Sequence, residues 1–338
     1  MKACLIGAEL SGRETVFRAL TGLPPAVGFA ETRLGEALVQ DERLDYLSSL
    51  YNPRKHTPAR LELIVPKPPP GANPEAQKAS LEKARDADCL ILILRNFPTS
   101  EKAPAPAQEA AFFLSELMVS DFLTVSKRIE RLAEEKKRGK PNDPAEAAAL
   151  AEALAALESE RPLRKFPEIA SSPKLRGFGL LSAKPLLVIL NDQDEPGPEP
   201  DLKLDVPVLR LRGRLEEEFS QLTPEEASEF MSDYGLTELA AARVIRTLYG
   251  LNDLISFFTV GDDECRAWTV NCGDTALTAA GRIHSDIQKG FIRAEVVAYD
   301  DFRTAGSMVE AKKKGLVRLE GKTYLIKDGD IVLFRFNV

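Results

Sequence analysis

The sequence predicts an α/β domain interrupted by a helical hairpin and followed by a small α+β module of the β-grasp kind. Three observations point there. Short apolar runs at 3–6, 61–65 and 89–94 suit buried strands of a mostly parallel sheet. From about Gln108, apolar residues recur at steps of three and four, as on the buried face of a helix. After Cys265, turn signals (Gly321-Lys322, Asp328-Gly329) separate short β-branched and aromatic runs.

The elements follow in chain order. The apolar run at 3–6 leads into a turn with Gly7 and Gly12, and then into Val16-Phe17-Arg18-Ala19-Leu20, which starts a helix. The segment Pro66-Lys67-Pro68-Pro69-Pro70-Gly71 excludes both helix and central strand. A helix over 75–87 follows it, and then the strand at 89–94. Phe122, Val125, Ile129 and Leu132 mark one helical stripe, and Leu150, Leu154 and Leu157 mark a second. Gly139 to Asn142 breaks the first helix. Asp143-Pro144-Ala145-Glu146 starts the next, with an N-cap carboxylate, Pro at the first helical position and Glu at the third. Strand character returns at 185–190 and 206–211, so the hairpin is inserted into one α/β domain. Helices over 224–232 and 236–250 follow. The final block is expected to hold a strand at 266–270, a helix at 276–285, and strands at 294–298, 316–319, 323–326 and 331–336.

Composition limits the function. The 338 residues carry a net charge of −7, so nothing general draws the chain to nucleic acid or to an anionic membrane. From Cys265 onward, however, twelve Lys and Arg stand against nine Asp and Glu, a local +3 that suits an acidic partner such as RNA. The longest internal apolar run, Cys89 to Leu94, is far too short to span a bilayer. The start lacks a secretory h-region, and a cytoplasmic location is expected. Cys4, Cys89, Cys265 and Cys272 are scattered and read as buried reduced thiols. With His56 and His284 the only histidines, a His-rich metal site is not expected. No catalytic Cys/His pairing is visible.

The turn after the first strand keeps the glycine spacing of the phosphate loop G-x-x-x-x-G-K-[ST], but Arg13 replaces the Lys and Glu14 the metal-holding hydroxyl. Arg is longer and planar, so it does not reproduce the compact ammonium. A carboxylate ~4 Å from phosphate costs on the order of 4 kcal/mol at an effective dielectric of about 20, roughly a thousandfold in affinity. Neutralisation of Glu14 by Arg13 would lower that cost while removing the ligand's cation.

The tail carries a family resemblance. Arg266-Ala267-Trp268-Thr269-Val270, Ala280-Gly281-Arg282-Ile283-His284-Ser285-Asp286 and Lys289-Gly290-Phe291-Ile292-Arg293-Ala294-Glu295-Val296 resemble the C-terminal TGS domain of YchF-type, Obg-related P-loop NTPases, as does the ending Asp328-Gly329-Asp330-Ile331-Val332-Leu333-Phe334-Arg335-Phe336-Asn337-Val338. Arg43-Leu44-Asp45, Lys127-Arg128-Ile129-Glu130-Arg131-Leu132 and Ser182-Ala183-Lys184-Pro185 extend the similarity over nearly the whole chain. The resemblance implies an α/β P-loop NTPase (G domain) with an inserted α-helical hairpin domain and a C-terminal α+β β-grasp (TGS) domain. The expected boundaries are 1–98 and 172–262 for the G domain, 99–171 for the insertion and 263–338 for the TGS domain. Family members look like ATP- or GTP-hydrolysing translation factors that associate with ribosomes.

Four family elements can be compared. The phosphate loop Gly-x-Pro-Asn-Val-Gly-Lys-Ser-Thr corresponds to Gly7-Ala8-Glu9-Leu10-Ser11-Gly12-Arg13-Glu14-Thr15. The switch Asp-x-x-Gly falls on Val65 and Pro68, which can play neither role. The base-reading motif is matched by Asn191 and Asp194, and the small-residue loop that contacts the base is replaced around Arg212 and Arg214. A weak or vestigial nucleotide site would therefore comprise Gly7, Ser11, Gly12, Arg13, Glu14, Thr15, Asn191 and Asp194. Arg212, Arg214, Trp268, Lys289 and Arg293 are candidate contacts to a partner or to RNA, with a core role for Trp268 as the alternative. Two functions stay open. One is a ribosome- or RNA-contacting binding protein without catalytic residues, metal or required cofactor, with neither membrane nor sequence-specific DNA as a partner. The other is an ATP- or GTP-binding protein with slow hydrolysis, for which Mg²⁺ lacks its usual ligand.

Overall fold

The computed structural model describes residues 1–25, 32–66, 81–100, 103–195, 197, 199–234, 236 and 238–337. Two compact units emerge, one of residues 1–37 and 62–244, the other of 38–61 and 245–338. This partition is coarser than the four expected segments, and it assigns 38–61 to the C-terminal unit.

The first unit is built on a six-stranded sheet in the order β2-β4-β1-β5-β6-β7. Its strands are β1 (Lys2–Gly7), β2 (Thr32–Val39), β4 (Ala59–Pro66), β5 (Cys89–Asn96), β6 (Leu186–Asp192) and β7 (Val208–Leu211). From β4 to β7 every pairing is parallel, with Cys4 opposite both Ile64 and Leu90, Leu92 opposite Val188 and Ile189 opposite Leu209. The middle strands are buried on both faces, which is why 89–94 and 186–190 are continuous apolar runs without alternation. One face packs Leu90, Leu92, Val188 and Leu190 against Leu81, Phe113 and Leu117. Helix α1 (Arg13–Thr21) buries Val16, Phe17 and Leu20. Arg18 of α1 pairs with Glu217, at 3.0 Å, on the helix Gly213–Phe219. Of the helix expected at 75–87, residues 75–80 lie outside the described residues, as does Pro68; residues 81–82 are helical and Lys83–Asp86 tightens into a 3₁₀ turn.

The hairpin joins the helices Pro106–Lys137 and Pro144–Glu158, with Asp143 accepting a hydrogen bond from the Ala145 amide as the cap predicts. Val125, Leu132, Leu150, Ala153 and Leu157 form its seam. Glu146 does not close a capping box. It pairs instead with Arg128 across the hairpin at 2.7 Å. The root of the hairpin is polar and buried. Asp121 accepts from the amides of Leu181 (2.8 Å) and Ser182 (2.6 Å), with Arg85 Nη1 at 3.3 Å. Lys184 Nζ donates to the carbonyls of Arg85 (2.8 Å) and Ala87 (2.5 Å). Burial raises the Asp121 carboxyl and pushes the Arg164 guanidinium down to about 10.

The second unit holds a six-stranded sheet in the order β11-β10-β12-β8-β9-β3. The strands are β3 (Lys55–Thr57), β8 (Leu254–Thr259), β9 (Glu264–Asn271), β10 (Phe291–Ala298), β11 (Arg318–Glu320) and β12 (Asp330–Phe336). β8 and β9 form an antiparallel hairpin, β12 lies parallel to β8, and β10 lies antiparallel to β12. The helix Ala276–Ile283 covers Phe257, Val270, Val296 and Phe334. The strand expected at 323–326 does not form, because its single sheet-like pairing is a bridge from Leu325 to Thr275. Two short helices, Tyr299–Ala305 and Met308–Lys313, were not legible in the pattern. Cys4, Cys89 and Cys265 are buried, whereas Cys272 is exposed, contrary to expectation.

The edge strand β3 comes from 200 residues upstream, pairing His56 with Cys265 in parallel. Helix α2 (Glu42–Tyr51) precedes it. Arg43 of α2 is held by Asp41 (Nε to Oδ1, 2.9 Å) and Asp328 (Nη1 to Oδ2, 2.7 Å), and lies 5.2 Å over the Phe258 ring. The hydrogen bond to Asp41 raises the Arg43 guanidinium. Tyr51 stacks on Phe302 and Tyr46 meets Tyr299 edge-on.

Two stability predictions follow from these anchors. Asp121→Ala leaves two buried amides without their acceptor and removes one of the two carboxylates that pair with Arg85, and should cost about 3 kcal/mol in urea unfolding. Arg43→Ala should cost about 1–3 kcal/mol and raise amide exchange in β3 more than in β10.

Candidate functional site: the turn between β1 and α1

The turn lies at the carboxyl end of the parallel strands, where open α/β sheets place their ligands. β1 ends at Gly7, where an added Cβ would lie 2.5 Å from the Ile93 carbonyl oxygen of the neighbouring strand. Leu10 adopts a left-handed conformation (φ 61°) and projects outward, and Ser11 folds back with its amide 3.3 Å from the Ala8 carbonyl. Gly12, at φ 88°, caps α1.

Asn191, at the end of β6, ties the turn down. Its Nδ2 donates to the Ser11 carbonyl at 3.0 Å, and its Oδ1 accepts the Gly213 amide at 3.1 Å. The fit is tight on both sides. A Cβ on Gly12 would fall 2.1 Å from Asn191 Nδ2, and one on Gly213 would fall 2.5 Å from Oδ1. Both glycines are thus dictated by one buried amide side chain. The Ser11 hydroxyl is buried and, among the described residues, has no hydrogen-bond partner.

The two substituted residues are engaged by other parts of the protein. Arg13 Nη1 donates to the Pro66 carbonyl, at 3.2 Å, at the end of β4, and burial pushes its guanidinium down. Glu14 Oε2 accepts from Arg33 Nη1 of β2 at 2.8 Å. Arg33 also lies 4.8 Å over the Phe17 ring and donates through Nη2 to the Pro24 carbonyl. Glu14 thus pairs with Arg33, a partner the sequence did not suggest, while its charge also acts on the neighbouring Arg13 guanidinium. The sequence signal for Arg33 is weak, since the two residues lie 19 apart on different elements. Thr15 is half-buried in the first turn of α1, and Val65 is buried within β4.

The expected base-reading pair divides. Asn191 converges on the turn, while Asp194 is exposed beyond the strand. The buried carboxylate is Asp192, which pattern reading passed over. It accepts from Asn96 Nδ2 (2.6 Å) and Arg210 Nε (2.8 Å), and Arg210 also donates to the Gly197 carbonyl at 2.9 Å. An acidic residue ending a wholly apolar strand was the available clue.

The candidate partner residues also differ in what they touch. Arg212 packs 5.9 Å from the Tyr234 ring centroid and donates to that residue's carbonyl at 3.1 Å. Arg214 is exposed and pairs with Glu218 at 3.4 Å. In the second unit, Trp268 stacks on Phe257 with its planes 15° apart and donates from Nε1 to Thr259 at 3.0 Å. The Arg266 guanidinium lies 3.9 Å from its ring centroid, so Trp268 is largely committed to these contacts. Lys289 is exposed beside Asp286, and Arg293 is exposed opposite Arg335 on β12. Among the described residues, no three His, Cys, Asp or Glu side chains gather to hold a metal ion, and no helix is long and apolar enough to cross a membrane.

Substituting Gly12 tests the role of Asn191. Gly12→Ala should destabilise by about 2–4 kcal/mol, because it adds left-handed strain to a collision with a buried side chain. Gly22→Ala, with φ 66° but nothing closer than 3.7 Å, should cost visibly less in the same thermal melt.

Comparison with known proteins places the chain in a family. Residues 254–337 match the family model YchF-GTPase_C, described as "Protein of unknown function (DUF933)". The chain is 32% identical to the ribosome-binding ATPase YchF of Bacillus subtilis, with both chains covered in full, and 33% identical to its namesake in Haemophilus ducreyi, covering 100% of this chain and 99% of the relative. The structure of the Schizosaccharomyces pombe YchF GTPase superposes with a TM-score of 0.82 at 25% identity, covering 99% of this chain and 97% of that one. Full-length identity, a shared architecture and the matched C-terminal domain make this chain a member of the YchF family.

Proposed function

We propose that this YchF-family protein is a ribosome-associated binding protein whose phosphate turn is engaged by its own side chains rather than by a nucleotide. The observation that carries this reading is the 2.8 Å pairing of Glu14 with Arg33 where the turn would present a hydroxyl to Mg²⁺. The residues present do not fit a magnesium-bound triphosphate. A carboxylate stands at the metal-anchoring position, and the cation beside it donates to the Pro66 carbonyl. Glu14 also lies in the first turn of α1, where it complements the positive helix end that would otherwise draw phosphate.

Ribosome association is carried over from the relatives' name, and it would place the protein in the cytoplasm. Its surface offers two suitable faces. On the long helix, Phe112, Val119, Phe122 and Leu123 are exposed at helical spacing. On the second unit, Arg293 and Lys289 provide positive charge for a phosphate backbone.

A second reading, weak nucleotide binding with slow hydrolysis, is favoured by one feature. Asn191 still joins the Ser11 carbonyl to the Gly213 amide, so the frame of the turn survives. Titration calorimetry with ATP and GTP, with and without Mg²⁺, separates the two. Wild type should show no saturable heat below millimolar ligand, and Glu14→Ser should bind at least tenfold more tightly. Micromolar MgATP or MgGTP binding by wild type, with turnover lost in Arg13→Ala, would overturn the first reading. Co-sedimentation with ribosomes should persist without nucleotide and weaken in Lys289→Glu/Arg293→Glu.

A further inference from the structure

We propose that the side-chain contacts of Arg13 and Glu14 serve as a built-in ligand. They hold β2 and the end of β4 against α1, and so keep the turn in one state that nucleotide does not control. This inference rests on the reading above and adds a mode of regulation to it.

In a nucleotide-driven switch, the terminal phosphate and its metal hold segments that are released on hydrolysis. Here the first two residues of α1 make direct protein contacts in two directions. Arg13 reaches the Pro66 carbonyl at the end of β4, and Glu14 reaches Arg33 near the start of β2. Arg33 is then held from three sides, by the Glu14 carboxylate, the Phe17 ring and the Pro24 carbonyl, with 11% of its side chain exposed. A guanidinium so enclosed loses much of its hydration. It therefore depends on its carboxylate more than an exposed surface cation does. No dissociable group is involved, so the hold has no off state set by ligand concentration. The state of the turn should then be the same whether ATP, GTP or neither is present.

Amide exchange on the full chain tests this with a double-mutant cycle of Glu14→Gln, Arg33→Gln and both together. Each single variant should speed exchange of the amides at 32–37 by about tenfold or more, while 89–94 and 186–190 in the sheet centre stay within twofold of wild type. The double variant should exchange no faster than the worse single, because one interaction is removed once. Additive effects of the two substitutions, or unchanged exchange at 32–37, would overturn the inference. A separate arm adds millimolar MgATP or MgGTP to wild type. Unchanged protection at 8–15 and 32–37 is the expected result. Protection that rises with nucleotide would sink both the reading of the site and the inference, even where the cycle still shows coupling. Additive substitutions with no nucleotide effect would sink the inference alone.

Discussion

The local geometry of the first unit depends on one buried amide. Asn191 sits at the carboxyl end of β6 and satisfies the Ser11 carbonyl and the Gly213 amide at once. Both backbone groups belong to turns that leave the sheet, so neither has a ladder partner, and an unpaired buried backbone group costs about as much as a lost hydrogen bond. The contact also fixes how closely the turns approach, since Gly12 and Gly213 both abut the same side chain. The shape of the turn is thus set apart from the side chains at 13 and 14. The glycines answer to Asn191, whereas Arg13 and Glu14 answer to the Pro66 carbonyl and to Arg33.

The same separation governs what could be read from the sequence. The parallel sheet was legible because its central strands are buried on both faces and leave continuous apolar runs. The hairpin was legible because Asp143-Pro144 is a local helix start and Leu150 and Leu157 keep helical spacing. What escaped was long-range and polar. Residues 55–57, two of them exposed, carry no strand pattern, and their partner β9 lies some 200 positions away. Arg33 and Glu14 meet only because β2 and α1 are brought together by the fold. Asp192 closes an apolar strand, and its partners come from β5 and β7 on either side. Conversely, residues 323–326 have strand composition but no neighbour at ladder distance beyond one bridge to Thr275. Propensity there was overruled by the absence of a partner.

The division of the chain bears on how its C-terminal region should be regarded. The matched family model begins at residue 254, yet the compact unit also contains 38–61. Without those residues, Phe258 would lose the Arg43 guanidinium above it, Phe302 the Tyr51 ring, and β9 its edge strand. Arg43 is held by hydrogen bonds to two carboxylates, and Asp328 also accepts the Ser256 amide through Oδ1, the oxygen that Arg43 Nη2 reaches at 3.3 Å. The C-terminal module is therefore completed by residues that precede β4 in the chain.

This threading gives β2 two allegiances. Its residues through Ala37 belong to the first unit and those from Leu38 to the second, and the strand leads directly to Asp41, the cap of α2 and a partner of Arg43. Arg33 and Asp41 stand eight residues apart on one stretch of chain. An ion pair at the start of that stretch and a carboxylate–guanidinium cluster at its end each fix one end of the strand. Glu14 of α1 pairs with Arg33 at that first end. On the proposed reading, protein contacts alone hold the first end of the strand, which gives a physical reason for the frame of the turn to persist beside Arg13 and Glu14.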